Sequence, residues 1–199
     1  MRDDTDRQNR RSIRLQGYNY AHPGAYFVTI CAEGRKCLFG EITNGEMRLN
    51  ESGTVVTKCW QWLSSQYPHV DLDEWVIMPN HLHGIIVLSD DGGVCRGGSR
   101  TAPTDVVRRK PLGGLIGAFK TVSTKEINEL RGGRGSPLWQ RNYYEHVIRN
   151  ENELNKIREY ILSNPLQWAL DLENPAMRGG GSRTAPTDEI DRILGGAKP

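Results

Sequence analysis

The fold of this chain is decided by residues 72–88, which read LDEWVIMPNHLHGIIVL. Apolar and β-branched residues make up most of 72–78 and of 81–88, and runs of this composition and length are typical of strands. Pro79 and Asn80 separate the two runs, and this pair of residues is typical of a turn. The stretch therefore predicts an antiparallel hairpin whose second strand begins at His81.

Elements on both sides of this hairpin complete a small α+β pattern. The spacing of apolar residues predicts strands at 25–32 and 144–148, and helices at 51–66, 115–130 and 152–163. The last helix is expected to stop at Pro165, since proline interrupts a helix. The order β-α-β-β-α-β-α predicts an antiparallel sheet with helices packed on one face, as in ferredoxin-like and RRM-like folds.

The composition indicates one folded domain with additions. The chain has 199 residues, of which 37% are hydrophobic and 22 are glycines. We expect a basic N-terminal arm at 1–24, a core domain at 25–173 with a glycine-rich inserted loop at 89–111, and a disordered tail at 174–199. No apolar run is long enough for a bilayer, the N-terminus lacks a secretory signal, and the four cysteines form no C-x-x-C pair, so the sequence predicts a cytoplasmic protein without membrane contact.

Basic residues are concentrated in two places, although the net charge is only +2. One cluster lies in the arm and the other at the end of the inserted loop, and the candidate DNA-contacting residues are Arg11, Arg14, Arg108, Arg109 and Lys110. Such clusters suit the phosphate backbone of a nucleic acid, and a merely solvated segment accounts for them about equally well.

The peptide GGSRTAPTD occurs twice, at 97–105 and at 180–188. Two copies that lie far apart in loops do not form a stacked repeat. Its first eight residues can be reverse-translated as GGT GGG AGC CGC ACG GCT CCC ACC, whose ends are reverse complements that close a short loop. We interpret the peptide as a passenger, encoded by a mobile DNA hairpin that entered the gene twice at places where loops tolerate insertion.

The sharpest chemical signal is the pair His81 and His83. Residues i and i+2 of a strand point to the same face, so the two imidazoles are expected to lie side by side, with Leu82 turned into the core. Two imidazoles at this spacing can share one cation. An H-x-H pattern alone is weak, and two surface histidines would explain it equally well.

A second candidate set lies on the helix 152–163. Tyr160 and Asn164 are one turn apart and fall together beside the apolar stripe. A tyrosine acting as a nucleophile needs a polarised phosphate and help in losing its proton, whose pKa is about 10 in the free residue. A metal on the histidines would polarise that phosphate, and Asn164 would add a neutral oxygen ligand. An aromatic residue at the edge of the core is the simpler alternative for Tyr160.

Three blocks carry a resemblance to a known family. They are residues 11–18 (RSIRLQGY) with the strand 26–29, residues 75–85 (WVIMPNHLHGI), and residues 138–146 (LWQRNYYEH) with 160–165 (YILSNP). In these blocks the chain resembles the REP-associated tyrosine transposases, which belong to the HUH endonuclease class with its His–hydrophobic–His motif. The glycine-rich linkers depart from a compact member of that family and look inserted.

The resemblance implies an HUH nuclease fold and an enzyme that cuts and rejoins DNA. By it, Tyr160 is the nucleophile, His81 and His83 are metal ligands, and Asn164 is the third ligand of Mg²⁺ or Mn²⁺. The substrate that it implies is single-stranded DNA with palindromic, REP-like hairpins. Cleavage would leave a 5′-phosphotyrosine intermediate and a free 3′-hydroxyl.

Several alternatives stay open at this point. Tyr143 and Tyr144 compete with Tyr160 for the role of nucleophile, although aromatic packing is the simpler role for both. A replication initiator or relaxase would share the same chemistry, and a hairpin-binding regulator would share the fold without cutting. The sequence also leaves open a homodimer and whether the tyrosine serves its own chain's histidines.

Overall fold

The computed structural model describes residues 18–90, 109–133, 135–170, 174–175, 190 and 193–194. The strands are β1 (Gly24–Cys31), β2 (Gly40–Thr43), β3 (Glu46–Leu49), β4 (Val70–Ile77), β5 (His81–Leu88) and β6 (Tyr144–Ile148), and the α-helices are α1 (Glu51–Gln66), α2 (Leu112–Leu130) and α3 (Glu151–Gln167). Short 3₁₀ turns occur at Glu33–Arg35 and Trp168–Leu170. Within these ranges no helix is long and apolar enough to cross a membrane.

Some predictions fall outside these ranges. They concern Arg11, Arg14 and Arg108, both copies of the repeated peptide, and most of the N-terminal arm and the inserted loop. Of the tail predicted to be disordered, the structure describes five residues. Three of them, Ile190, Ile193 and Leu194, pack against the apolar cluster beside α3 because their side chains are themselves apolar.

Four strands form an antiparallel sheet in the order β4-β5-β1-β6, which confirms the predicted α+β fold. The hairpin β4–β5 is closed at Pro79 and Asn80, where the Met78 amide donates to the His81 carbonyl at 2.8 Å. On the other side of β5, Thr29 pairs with His83 and Cys31 with His81. The strand that carries both histidines therefore lies inside the sheet.

The helices cover both faces of the sheet, so the prediction of helices on one face was wrong. α1 and α2 pack on the face formed by residues such as Val28, Leu82 and Ile86, whereas α3 packs on the face formed by Phe27 and Ile85. The physical reason is that strands β1 and β5 are apolar on both sides, and both sides need a cover.

Gly84 allows α1 to approach the sheet closely. A Cβ atom at this position would lie 2.6 Å from Cζ2 of Trp60 and 3.2 Å from Cβ of Trp75. Since the Trp60 ring is fully buried, it has little room to withdraw. The close packing of α1 on the sheet thus explains why a glycine follows the second histidine.

Two local features differ from the sequence predictions. The strands β2 and β3 form a hairpin that the sequence analysis did not predict. Its turn is the pair Asn44 and Gly45, whose positive φ angles of 54° and 78° are those that a two-residue hairpin turn requires. Helix α3 also runs through Pro165 to Gln167. A proline so near the end of a helix removes the amide partner of only one carbonyl, that of Ile161, so the last turn survives.

Candidate active site

The two histidines of β5 meet at one face of the sheet. His81 is fully buried and His83 is 2% exposed, and their Nε2 atoms are 2.9 Å apart. The alternation of side chains along a strand produces this pairing, because Leu82 between them points into the opposite core cluster. The pair therefore forms one side of a compact polar centre.

Asn80 sets the orientation and the tautomer of His81. Its Nδ2 donates to the carbonyl of Arg35 at 3.1 Å, so its Oδ1 is the atom that faces His81 Nδ1 at 2.8 Å. An amide oxygen only accepts, and Nδ1 of His81 must therefore carry the proton. The Nε2 atom is left with its lone pair directed at His83.

Thr29 and Phe27 hold His83 in a similar way from β1. Thr29 Oγ1 lies 2.9 Å from His83 Nδ1, and when it accepts the Nδ1 proton, His83 Nε2 keeps its lone pair. The Phe27 ring stacks on the imidazole, with centroids 5.5 Å apart. In that tautomer the two Nε2 lone pairs face each other at 2.9 Å, and they repel unless a proton or a cation lies between them.

Burial keeps both imidazoles neutral. It lowers the pKa of His83 to about 3. It also holds the pKa of His81 well below the ordinary value, with smaller contributions from His83 and from Arg35. Neutral imidazole is the form that binds metal, since a protonated ring has no free lone pair.

Tyr160 reaches the histidine pair from α3. Its hydroxyl lies 3.2 Å from His83 Nε2, within the same chain, and its residue is 8% exposed. Phe27 meets its ring edge-on at a centroid distance of 6.1 Å. α3 begins at an Asn150 cap, whose Oδ1 accepts from the Glu153 amide, and the apolar stripe with Ile157 and Ile161 fixes its rotation on the sheet.

The two rival tyrosines occupy different surroundings. Tyr143 packs against the α1/α2 cluster, and Lys120 Nζ lies 5.4 Å from its ring centroid. Tyr144 is buried with its ring edge-on to Phe27 at 6.2 Å. The hydroxyl contact with His83 belongs to Tyr160, and the geometry therefore favours this residue over both rivals.

The residues present fit a divalent cation. Two nitrogens that each lie about 2.1 Å from one ion at right angles are about 3 Å apart, close to the observed 2.9 Å. Asn164, one turn beyond Tyr160, is 4% exposed, and its buried Oδ1 makes no hydrogen bond within the described residues. Over the same residues no three His, Cys, Asp or Glu side chains are grouped for a metal, and Asn164 is a candidate ligand of another type.

The structure does not bring the described basic candidates to this centre. Arg109 hydrogen-bonds the side chain of Asp90 at 2.5 Å, and Lys110 Nζ bonds the Tyr67 hydroxyl at 2.9 Å. Both lie near the end of β5 that is remote from His81. Their role as DNA contacts stays a prediction, and it requires a ligand that spans the length of the sheet.

A bidentate ion pair fastens the tyrosine helix to the sheet. Arg158, two residues before Tyr160, donates from Nε and Nη2 to both oxygens of Asp73 on β4, at 2.8 and 2.6 Å. The hydrogen bonds from Arg158 lower the pKa of Asp73, although burial opposes them. The sequence did not predict the roles of four residues at this site, namely Asp73, Arg158, Asn80 and Thr29. For Asn80, its position directly before the H-x-H motif could have indicated a role.

Comparisons with known proteins agree with this fold. The chain is 41% identical over 167 residues to an uncharacterized protein of Haemophilus influenzae, a match that covers 82% of this chain and 92% of the relative. It belongs to one family with that protein. No protein-family model matches the chain. Among solved structures, a REP-associated tyrosine transposase bound to a REP hairpin superposes with a TM-score of 0.52 and 19% identity, over 77% of this chain and 73% of the other.

Proposed function

We propose that this chain, a relative of the Haemophilus influenzae protein with the fold of a REP-associated tyrosine transposase, cuts and rejoins single-stranded DNA at palindromic hairpins. The observation that carries the proposal is the contact between the Tyr160 hydroxyl and His83, in a pair of neutral histidines with facing Nε2 atoms. This contact brings the phenol oxygen to the two nitrogens that are candidate metal ligands.

The reaction is a transesterification. Tyr160 Oη attacks the phosphorus of a backbone phosphate, the bond from phosphorus to the 3′ oxygen breaks, and the 5′ end stays esterified to Tyr160. The proton that the phenol loses is balanced by the proton that the leaving 3′ oxygen gains. The bond is conserved in the ester, so a 3′-hydroxyl can reverse the step and join strands without ATP.

His81, His83 and Asn164 would hold the cation that this chemistry needs. A bound divalent cation, Mg²⁺ or Mn²⁺, supplies Lewis-acid stabilisation of the charge on the phosphate oxygens. Asn80 and Thr29 orient the two imidazoles, and Phe27 stacks on that of His83. Because imidazole nitrogen is a softer ligand than the oxygen that Mg²⁺ prefers, we expect Mn²⁺ to support more cleavage than Mg²⁺.

The hairpin substrate follows from two sources. The solved neighbour is bound to a REP hairpin, and the repeated peptide of this chain can be reverse-translated into a palindrome. A stem lying along the sheet would bring its phosphates to Arg109 and Lys110 while a single-stranded flank enters the centre at Tyr160.

The test is covalent capture. A hairpin oligonucleotide of the reverse-translated sequence, with single-stranded flanks of random sequence, is incubated with protein and Mn²⁺ or Mg²⁺ and analysed on a denaturing gel. We expect a protein–DNA adduct that disappears with Tyr160→Phe and with chelator. Tyr144→Phe, which removes a hydroxyl from the same cluster, is the matched control and should retain the adduct.

Two outcomes would contradict the proposal. An adduct that survives Tyr160→Phe would move the nucleophile to another residue. Tight hairpin binding without an adduct in any metal would favour the alternative of a hairpin-binding regulator that does not cut.

A further inference from the structure

A third side chain, from the 3₁₀ turn that follows α3, lies in the same row as Tyr160 and Asn164. Trp168 follows them at the same spacing of four residues, so the three side chains share one face of the helix and its 3₁₀ continuation. The row passes over both histidines in turn. Tyr160 contacts His83, and the Trp168 ring centroid lies 6.1 Å from that of His81, with the planes tilted by 41°.

The backbone around Trp168 is fixed. Its amide donates to the carbonyl of Pro165, and its own carbonyl accepts from Asn174 Nδ2 at 2.9 Å. The side chain is half-buried and belongs to neither of the two core clusters of the described residues. A large ring is therefore held at the rim of the centre, and core packing does not account for it.

We infer that Trp168 is a stacking platform for an unpaired nucleobase next to the phosphate that Tyr160 attacks. This rests on the proposed function, because the phosphate has to lie at the histidines for an adjacent base to reach the ring. A flat aromatic ring that is partly exposed beside a phosphate site suits an unpaired base, since every base has a π-face. A paired base in the hairpin stem is already stacked and cannot use the ring in this way.

The ring has a second consequence for the reaction. A base stacked on Trp168 fixes the sugar and the phosphate attached to it, and so places the scissile bond before Tyr160. Because stacking tolerates any base, the site selects single-stranded over paired DNA and adds little sequence preference. The loss of one such contact corresponds to an increase in Kd between about fivefold and about a hundredfold.

The experiment uses the full chain with Tyr160→Phe, so that DNA binds without being cut. The probes are the reverse-translated hairpin with single-stranded flanks, the same hairpin without flanks, and a single strand with no hairpin. The fluorescent base analogue 2-aminopurine replaces one flank position at a time. We expect quenching at one or two adjacent positions that is lost with Trp168→Leu, and a Kd for the flanked hairpin that rises about five- to a hundredfold.

Controls separate stacking from folding. Trp168→Phe keeps a ring and should retain most of the affinity, and Trp62→Leu changes a half-buried tryptophan on the opposite face and should leave binding unchanged. The flankless hairpin should bind equally with and without Trp168. Equal affinity of Trp168→Leu for the flanked probe, or no Trp168-dependent quenching at any position of any probe, would overturn the inference.

The two proposals fail separately. If quenching depends on Trp168 but the parent chain, which keeps Tyr160, forms no adduct, the stacking inference is supported and the proposed cleavage is contradicted. If Trp168→Leu forms the adduct at full yield and binds DNA with unchanged affinity, the proposed cleavage is supported and the stacking inference is contradicted.

Discussion

The two faces of the four-stranded sheet differ in size and in polarity. The face under α1 and α2 carries the larger apolar cluster, with the rings of Trp60, Phe119 and Trp139 at its centre. The face under α3 carries a smaller cluster, which ends in the polar group of His81 and His83. β5 contributes alternate residues to both, so one strand carries core packing on one side and the candidate active site on the other.

The largest expected effect separates neighbouring residues of β5. His83→Ala should reduce adduct formation per folded molecule by at least about a thousandfold, since it removes a candidate ligand and the partner of Tyr160, and it should also lower the free energy of unfolding by about 1–3 kcal/mol because buried partners lose a hydrogen bond. Leu82→Ala should lower the free energy of unfolding by about 2–5 kcal/mol, because the leucine is fully buried, and the folded fraction should still form the adduct. Parallel adduct and melting assays measure both, and loss of activity without loss of stability in Leu82→Ala would break the comparison.

The next largest effect is expected from a comparison of two asparagines, one at the histidine pair and one at the start of α1. Asn80→Ala leaves the Nδ1 proton of His81 without its acceptor and should weaken Mn²⁺ affinity about 10- to 100-fold, measured by calorimetry. Asn50 caps α1 on the other face, where its Oδ1 accepts from the Gly53 amide at 3.0 Å. Asn50→Ala should cost about 1 kcal/mol of stability and leave metal affinity unchanged. Equal metal affinity in both variants would contradict the role given to Asn80.

Two glycines test the close packing under α1. Gly84→Ala brings a methyl group against Trp60 and should lower the free energy of unfolding by about 1–3 kcal/mol in urea titration. Gly117 lies exposed in α2 with open space around its Cβ position, and Gly117→Ala should raise stability by about 0.5–1 kcal/mol. A Gly84→Ala protein as stable as the parent would show that Trp60 can withdraw.

The smallest effect concerns the ion pair between Arg158 and Asp73. Its hydrogen bonds lower the pKa of Asp73 in the fold, so the stabilisation is present above the ordinary value near 3.8 and is lost as the pH falls through the folded pKa. Asp73→Asn should therefore melt at a lower temperature than the parent at pH 7, with the difference shrinking below pH 4. A constant difference between pH 7 and pH 3 would argue against the pair.

The sequence predicts best what depends on local spacing. The bounds of α1, β5 and β6 agree with the predictions, and the i, i+2 rule places His81 and His83 together. The position of Tyr160 is predicted by the spacing of the apolar residues in its own helix. Periodicity within one element is enough for these features.

What the sequence does not reveal depends on neighbours in space. Asp73 and Arg158 are 85 positions apart, and Thr29 and His83 are 54 apart, so nothing local links them. Because the helix was predicted to stop at Pro165, the sequence analysis did not place Trp168 on the same face as Tyr160 and Asn164. The rule treats proline as a breaker, whereas in the last turn of a helix it costs a single hydrogen bond.

The inner position of β5 has a consequence for how the centre comes apart. Both edges of the strand are hydrogen-bonded, to β4 and to β1, so the amides around the histidines exchange with solvent only when the sheet opens. Tyr160, by contrast, lies on α3, which is attached to the sheet through side-chain contacts, namely the apolar stripe and the ion pair between Arg158 and Asp73. A substitution that loosens α3 thus lowers the fraction of molecules with an aligned nucleophile and leaves the histidine pair assembled.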